Sequence, residues 1–369
     1  MAKSGKTQSV LVRVLGLLGL SAAVTRQRRL VGLDLSTRRV RAVEFTADTE
    51  GIVLTRFVNK ELDPKMSRAE ALAAVVNAEG LRDAPVASAV NGQAVIVRYF
   101  LLPEMADERL AEAVQQEAPK YIPFDLAEVM LDYQRLGRRE SPNGNGAPEV
   151  RVVLVGAKKD FIYEHLQMVQ EAGLNARAID VDCFAIANAF EHYCNRHPEA
   201  MELMKSAASV ALLDVGEDKT AINILEKGTL GFTREVYIAQ GEFVRECTRR
   251  LSVEVPMAEQ LLREPGENLE KVVASVTRVT EELVREARLS FDYFEHQTDL
   301  PVEQVYLSGV ASQYPMLRET LEEKLARPTM LWNAVDGLAV DAERVDVAAL
   351  QACGAELAVA VGLAARVLQ

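Results

Sequence analysis

The segment VGLDLSTRRVRAVEF, beginning at Val31, returns in outline as ALLDVGEDKTAINIL from Ala211, and this repetition constrains the chain more than any other feature. Each copy runs apolar into one aspartate, turns through polar residues and resumes as a second apolar segment. Asp34 and Asp214 lie 214 − 34 = 180 positions apart. A lone carboxylate in a buried strand needs a hydrogen bond, a counter-ion or a metal. One such unit reads most simply as a hairpin whose aspartate caps its own turn. Two of them predict a duplicated α/β architecture with both aspartates facing a shared cleft.

The length, 369 residues, suits two domains. A net charge of 42 − 54 = −12 argues against a nucleic-acid partner. The cysteines Cys183, Cys194, Cys247 and Cys353 form no CxxC pair, which fits a reducing compartment. Residues 1–29 stand apart. They carry Lys3, Lys6, Arg13, Arg26, Arg28 and Arg29 with no acidic residue, around the apolar VLVRVLGLLGLSAAV. That stretch is too short and too interrupted to span a bilayer comfortably. It reads as a helix for an anionic membrane surface or a partner, with a secretory signal and a disordered tail as alternatives. No later segment is expected to be long and apolar enough to cross a membrane.

Along the chain, the residues from Val31 to Val58 read as three strands, with a hairpin turn at Asp48–Gly51, and Ser67–Ala78 as a helix. The residues from Ala94 to Leu174 read β-α-β-β-α, with Asp107 as an N-cap and a flexible loop through SPNGNGAP, a unit suited to insertion into a first domain spanning 30–207. A second domain, 208–369, opens with strand, turn and strand, followed by helices from Glu242 to about Gln297, the strand QVYLSG and a final apolar helix.

Two facing strand-turn-strand units make a phosphate clamp. Backbone N–H groups and short hydroxyls meet phosphate oxygens, and glycine permits close approach. Asp34 and Asp214 would each hold water on a hard divalent ion such as Mg²⁺. The second turn supplies Gly216, Asp218 and Thr220, whereas the first has Ser36 and Thr37 where a glycine would serve best. His192, Cys194 and His197 do not converge on one helix face and lack a fourth ligand, so they read as a helix end rather than a zinc site.

These turns, with VYLSGVASQYPML from Val305, resemble the actin-like ATPase superfamily. The stretches YFLLPEMADERLAEAVQQEAPKYIPFDLAEVMLDYQRLG, AGLNARAIDVDCFAIANAF, TREV and AVAVGLAARV resemble its PilM branch of type IV pilus assembly proteins, from about Leu30 onward. The resemblance implies two duplicated RNase H-like domains with an inserted subdomain in the first. It implies ATP with Mg²⁺ in the cleft, Ser308, Gly309 and Glu259 near the nucleoside, and Asp180 and Asp182 near a hydrolytic water. It also implies a cytoplasmic protein docked at the inner membrane, among other pilus platform proteins, holding the N-terminal tail of a PilN-like membrane protein. Leu101, Pro103, Tyr121, Ile122, Pro123 and Phe124 are the residues expected nearest that tail, with plain subdomain core as the competing reading.

The nucleotide pattern frays in places. The first turn reads Asp34-Leu35-Ser36 instead of Asp-x-Gly, the adenosine element Ser308-Gly309-Val310 lacks a second glycine, and the ribose pattern Ala258-Glu259 ends in Leu262. The departures predict a weakened grip on ATP, or none, and a scaffold in place of an enzyme. An active ATP-dependent enzyme, either a filament-forming ATPase or a small-molecule kinase, and a type II secretion platform component are the alternatives.

Overall fold

The computed structural model describes residues 29–47, 51–139 and 148–368. The expectations for the basic N-terminal segment, most of the Asp48–Gly51 turn and the SPNGNGAP loop lie outside them.

Strands β1 (Arg29–Leu35) and β2 (Arg39–Ala47) pair antiparallel across the first aspartate turn, and β3 (Ile52–Glu61) continues the meander. Helix α1 (Arg68–Ala78), opened by a reciprocal Ser67–Glu70 capping box, leads to β4 (Pro85–Val90), which lies parallel to β1. Next come β5 (Val95–Pro103), α2 (Asp107–Glu117), β6 (Val129–Arg139) and β7 (Glu149–Lys158), then α3 (Lys159–Glu171), β8 (Asn175–Val181), α4 (Asp182–Arg196) and α5 (Pro198–Ser206). The second half repeats the meander as β9 (Ser209–Val215), β10 (Thr220–Glu226) and β11 (Thr229–Val236). Helices α6 (Gln240–Leu251), α7 (Val255–Arg263) and α8 (Leu269–Thr298) precede β12 (Val302–Ser308), α9 (Leu317–Leu325) and β13 (Thr329–Leu331). The chain closes with β14 (Ala339–Val340), α10 (Val347–Cys353) and α11 (Ala358–Ala364).

The duplication is visible in strand order. One sheet runs β3-β2-β1-β4-β8, extended at its edge by β14, and the other runs β11-β10-β9-β12-β13. β1 and β9 each lie between an antiparallel and a parallel neighbour, and their apolar residues other than the half-buried Leu35 are buried, which explains their nearly continuous apolar runs. Asp34 and Asp214 end corresponding strands. β4, PVASAV, was not expected. Its small residues carry little β-propensity, and its place between β1 and β8 is set by tertiary pairing.

Three expectations are corrected. The third sheet, β5-β7-β6, and α2 enclose their own core of Phe100, Leu110, Val114, Ile122 and Leu154. The final helix of the expected insertion, α3, instead packs toward α1 and β8, with Val169 joining Leu72 and Val76. Nor do residues after β13 all stay with the second half, because β14 pairs with β3 and α11 packs on β1 and α4. Asp107 is the first residue of α2, and Ala106 holds the cap position without a side-chain bond.

The α11 crossing leaves no room for side chains. A Cβ on Gly362 would fall 1.8 Å from the Ala185 carbonyl oxygen, and one on Gly32 2.0 Å from that of Ala360. The helical run Val347–Val367 has a mean hydropathy of 1.7, so by length and composition it meets the requirement for a membrane span, contrary to expectation. All of α11 is buried, and the run reads as a core helix. Gly362→Ala sets about 1 kcal/mol of helix propensity against backbone overlap that commonly costs about 1–3 kcal/mol or more. A net loss of about 2 kcal/mol in chemical denaturation is the expected result.

Candidate functional site

The two aspartate turns close in the same way. The N–H of Ser36 donates to the Arg39 carbonyl at 3.0 Å, and that of Gly216 to the Lys219 carbonyl at 3.0 Å. Between them lies a hollow of about 370 Å³ lined by Asp34, Ser36, Thr37, Arg41, Asp182, Asp214, Gly216, Glu217, Asp218, Lys219, Gly309 and Glu356, among others. The pair of aspartates inferred from the repeat therefore faces one cavity.

The floor is crowded with carboxylates. Arg41 is 3% exposed and lies 3.7 Å from Asp34, 3.8 Å from Glu217 and 3.6 Å from Glu356, while its Nε and Nη2 make no hydrogen bond among the described residues. Asp182 accepts from Asn91 at 2.6 Å and pairs with the Lys219 ammonium at 3.0 Å. Lys219 also pairs with Glu235, whose second oxygen accepts the Gly92 N–H at 3.0 Å. Burial raises the Asp34 carboxyl to about 7, with Asp182 and Asp214 adding to the rise against the pull of Arg41 and Lys219. Burial likewise raises Asp214 to about 6, although Ser308 donates to it at 2.7 Å and Arg41 and Lys219 oppose the rise.

At the rim, the turns hold each other. The Thr37 N–H and hydroxyl donate to Asp218 at 2.8 and 2.5 Å, the Ser36 hydroxyl donates to Glu217, and Arg38 bonds Glu259 at 2.8 Å. Gly309 adopts φ +91°, and a Cβ there would lie 2.5 Å from the Val215 carbonyl oxygen. That close approach explains why glycine follows Ser308.

The expected residues thus divide. Asp34, Ser36, Thr37, Asp182, Asp214, Gly216, Asp218 and Gly309 line the hollow, with Ser308 directly behind Asp214. Glu259 stands outside the lining and holds Arg38. Thr220 is buried, and its hydroxyl donates to the Ile238 carbonyl at 2.5 Å, so it secures the hairpin rather than facing the cavity. Asp180 and Asp182 do not share a strand face. Asp182 opens α4, while Asp180 is fully buried against Arg366 beyond α11, its Oδ2 accepting from Arg366 Nε at 2.8 Å. Arg41, Glu217, Lys219 and Glu356 were missed. For Arg41 the signal was a charge inside an apolar strand directly opposite Asp34 in register. For Glu356, brought in by the last helices, the sequence carried none.

A second cavity of about 830 Å³ opens between β5, an edge of the three-stranded sheet, and β11, an edge of the five-stranded one, with α8 as its wall. Leu101 and Tyr121 line it together with Tyr99, Phe232, Leu289 and Tyr293. Leu289 and Tyr293 are each 57% exposed. Tyr121 stacks on Phe100 with ring centroids 4.8 Å apart. Pro103 and Pro123 are exposed outside its lining, and Phe124 is half-buried with the Lys158 ammonium 4.4 Å from its ring centroid. Ile122 is 4% exposed and belongs to the subdomain core, which corrects its expected place at the partner surface.

Comparison with known proteins supplies the context for both cavities. A family model described as type IV pilus assembly protein PilM matches residues 32–368. The solved structure of a PilM–PilN type IV pilus biogenesis complex is similar at 24% identity, with a TM-score of 0.77 over 93% of this chain and 99% of that one. Ethanolamine utilization protein EutJ from Carboxydothermus hydrogenoformans is similar at 12% identity, with a TM-score of 0.51 over 92% of this chain and 89% of that one. The fold is the actin-like ATPase fold.

The raised carboxyls fix a pH dependence. Their folded values lie above the ordinary 3.8, so between about pH 4 and 7 these two groups bind more protons in the folded protein than in the unfolded chain, and their contribution to stability falls as pH rises, against the opposite slope from His165 and His192, which burial lowers to about 4. Asp34→Asn removes one of these groups. In EDTA, the change in stability from pH 5 to pH 8 should be more favourable in this variant than in the unaltered protein by on the order of 2 kcal/mol, as read by denaturant titration.

Proposed function

This chain belongs to the type IV pilus assembly protein PilM family, and from that premise we propose that it holds the cytoplasmic N-terminal tail of a PilN-like membrane protein on the cytoplasmic side of the inner membrane, next to other platform proteins. The observation that carries this reading is the groove between β5, β11 and α8, where Leu101, Leu289 and Tyr293 expose apolar surface beside two sheet edges. Exposed apolar side chains grouped in a concave surface suit a short amphipathic segment, and sheet edges beside it suit its backbone. A related protein has been solved as a PilM–PilN complex, which supports the choice of partner. The basic segment 1–29, whose last residue opens β1, remains proposed as a contact for anionic lipid or a partner.

The cleft reads as a nucleotide site with a diminished grip. Asp34 and Asp214 would hold Mg²⁺ through water, and the raised carboxyls fit a site that a divalent cation completes. Arg41, which lines the same hollow and is ion-paired with Asp34, Glu217 and Glu356, is a cation a phosphate could share. The Mg²⁺ of a bound Mg-nucleotide would supply counter-charge to the carboxylates of this floor. Thr220 and Glu259, turned to other partners, add no contact inside it. This favours a scaffold over an enzyme, with Asp182 the better placed of the two proposed water-orienting carboxylates.

Binding of a synthetic PilN-like N-terminal peptide, followed by fluorescence anisotropy, tests the groove. Leu289→Asp and Tyr293→Asp, both at exposed positions, should weaken it at least tenfold with folding intact. Unchanged affinity in both would remove the groove from the reading.

A further inference from the structure

The rim of the cleft is closed by carboxylates of the protein itself. Glu217 and Asp218 come from the second turn, and they engage the Ser36 hydroxyl, the Thr37 hydroxyl and the Thr37 N–H of the first. These are the short hydroxyls and turn N–H that a phosphate clamp presents to oxyanions. Arg38 adds charge to the same closure, 3.6 Å from Glu217 and bonded to Glu259. Below it, the buried Nε and Nη2 of Arg41 remain without hydrogen bonds among the described residues. The floor donors thus face Glu356 and Glu217 at ion-pair distances of 3.6 and 3.8 Å, whereas donors at the rim are hydrogen-bonded directly by side-chain anions.

We propose that Glu217 and Asp218 form an intramolecular latch that occupies the first turn's phosphate donors, so a nucleotide phosphate gains them only by displacing the two carboxylates. This rests on the nucleotide reading of the cleft and adds the means by which its grip is restrained. The Ser36–Glu217 contact lies deeper, since Glu217 is 8% exposed, whereas Thr37 and Asp218 meet at the exposed edge. Opening from the outer pair inward is the consequence. A phosphate chain approaching the closed rim also meets two carboxylates of its own sign, so the latch opposes binding both by occupying donors and by repulsion.

The test uses the full chain and two readouts. Amide exchange at Thr37 reports the latch without any nucleotide, because that N–H donates to Asp218. In Asp218→Ala, whose replaced side chain is exposed, Thr37 should exchange at least tenfold faster, with α4 and α11 amides unchanged. Calorimetric titration with Mg-ATP then reports the competition: Glu217→Gln/Asp218→Ala should bind at least tenfold more tightly than the unaltered protein, and Asp218→Ala alone should shift the same way. Unchanged Thr37 exchange overturns the latch. Faster exchange with equal or weaker Mg-ATP binding in the variants overturns the competition. Faster exchange with no Mg-ATP binding by any form overturns the nucleotide reading of the cleft, and the displacement step with it.

Discussion

Two buried cations, each shared between carboxylates of both halves, fix how the repeats face one another. Arg41 stands on β2 of the first repeat and approaches Glu217 and Glu356 as well as its own strand partner Asp34. Lys219 stands in the second turn and meets Asp182 at the start of α4. Ions so withdrawn from water lose several kcal/mol of solvation unless opposite charge is close. Separating the halves would therefore leave Arg41 with Asp34 and Lys219 with Glu235, and take from Asp182 its ammonium partner. The floor nonetheless holds more carboxylate than cation, and the raised Asp34 and Asp214 carboxyls record that imbalance.

Much of this was legible because strand-level signals are local. The aspartate at the end of each apolar run, the polar turn and the following alternation exposed the repeat, and with it the shared cleft. What was not legible depended on partners distant in sequence. Asp180 and Asp182 alternate as strand residues would, yet the strand ends at Val181, and Asp180 finds its counter-ion in Arg366, 186 positions away. Thr220 matches a phosphate-turn hydroxyl in spacing but bonds a carbonyl of the neighbouring strand end. Ile122 is flanked by surface residues, yet its side chain enters the core under β7, where Gly156 leaves it space.

The return of the chain end is another such case. An apolar helix rich in alanine and valine reads as generic core, and nothing in its composition names its neighbours. Its partners are chosen by the backbone approaches that Gly32 and Gly362 permit, and these place it against β1 and α4, the elements that carry Asp34 and Asp182. The first half of the cleft thus depends on packing supplied by the last residues of the second.

The groove and the cleft are also supported by common residues. β5 begins three residues after Gly92, whose N–H is held by Glu235 of β11, and Glu235 in turn pairs with Lys219 in the second turn. One ion-pair network therefore anchors the roots of the two strands that flank the groove and one wall of the cleft. The part of Lys219 that faces Asp182 belongs to the cavity, and the part that faces Glu235 belongs to the sheet edge. Neither cavity can be reshaped at this point without changing the pairing on which the other rests, because the ammonium between Asp182 and Glu235 is largely buried and solvent replaces a lost partner only in part.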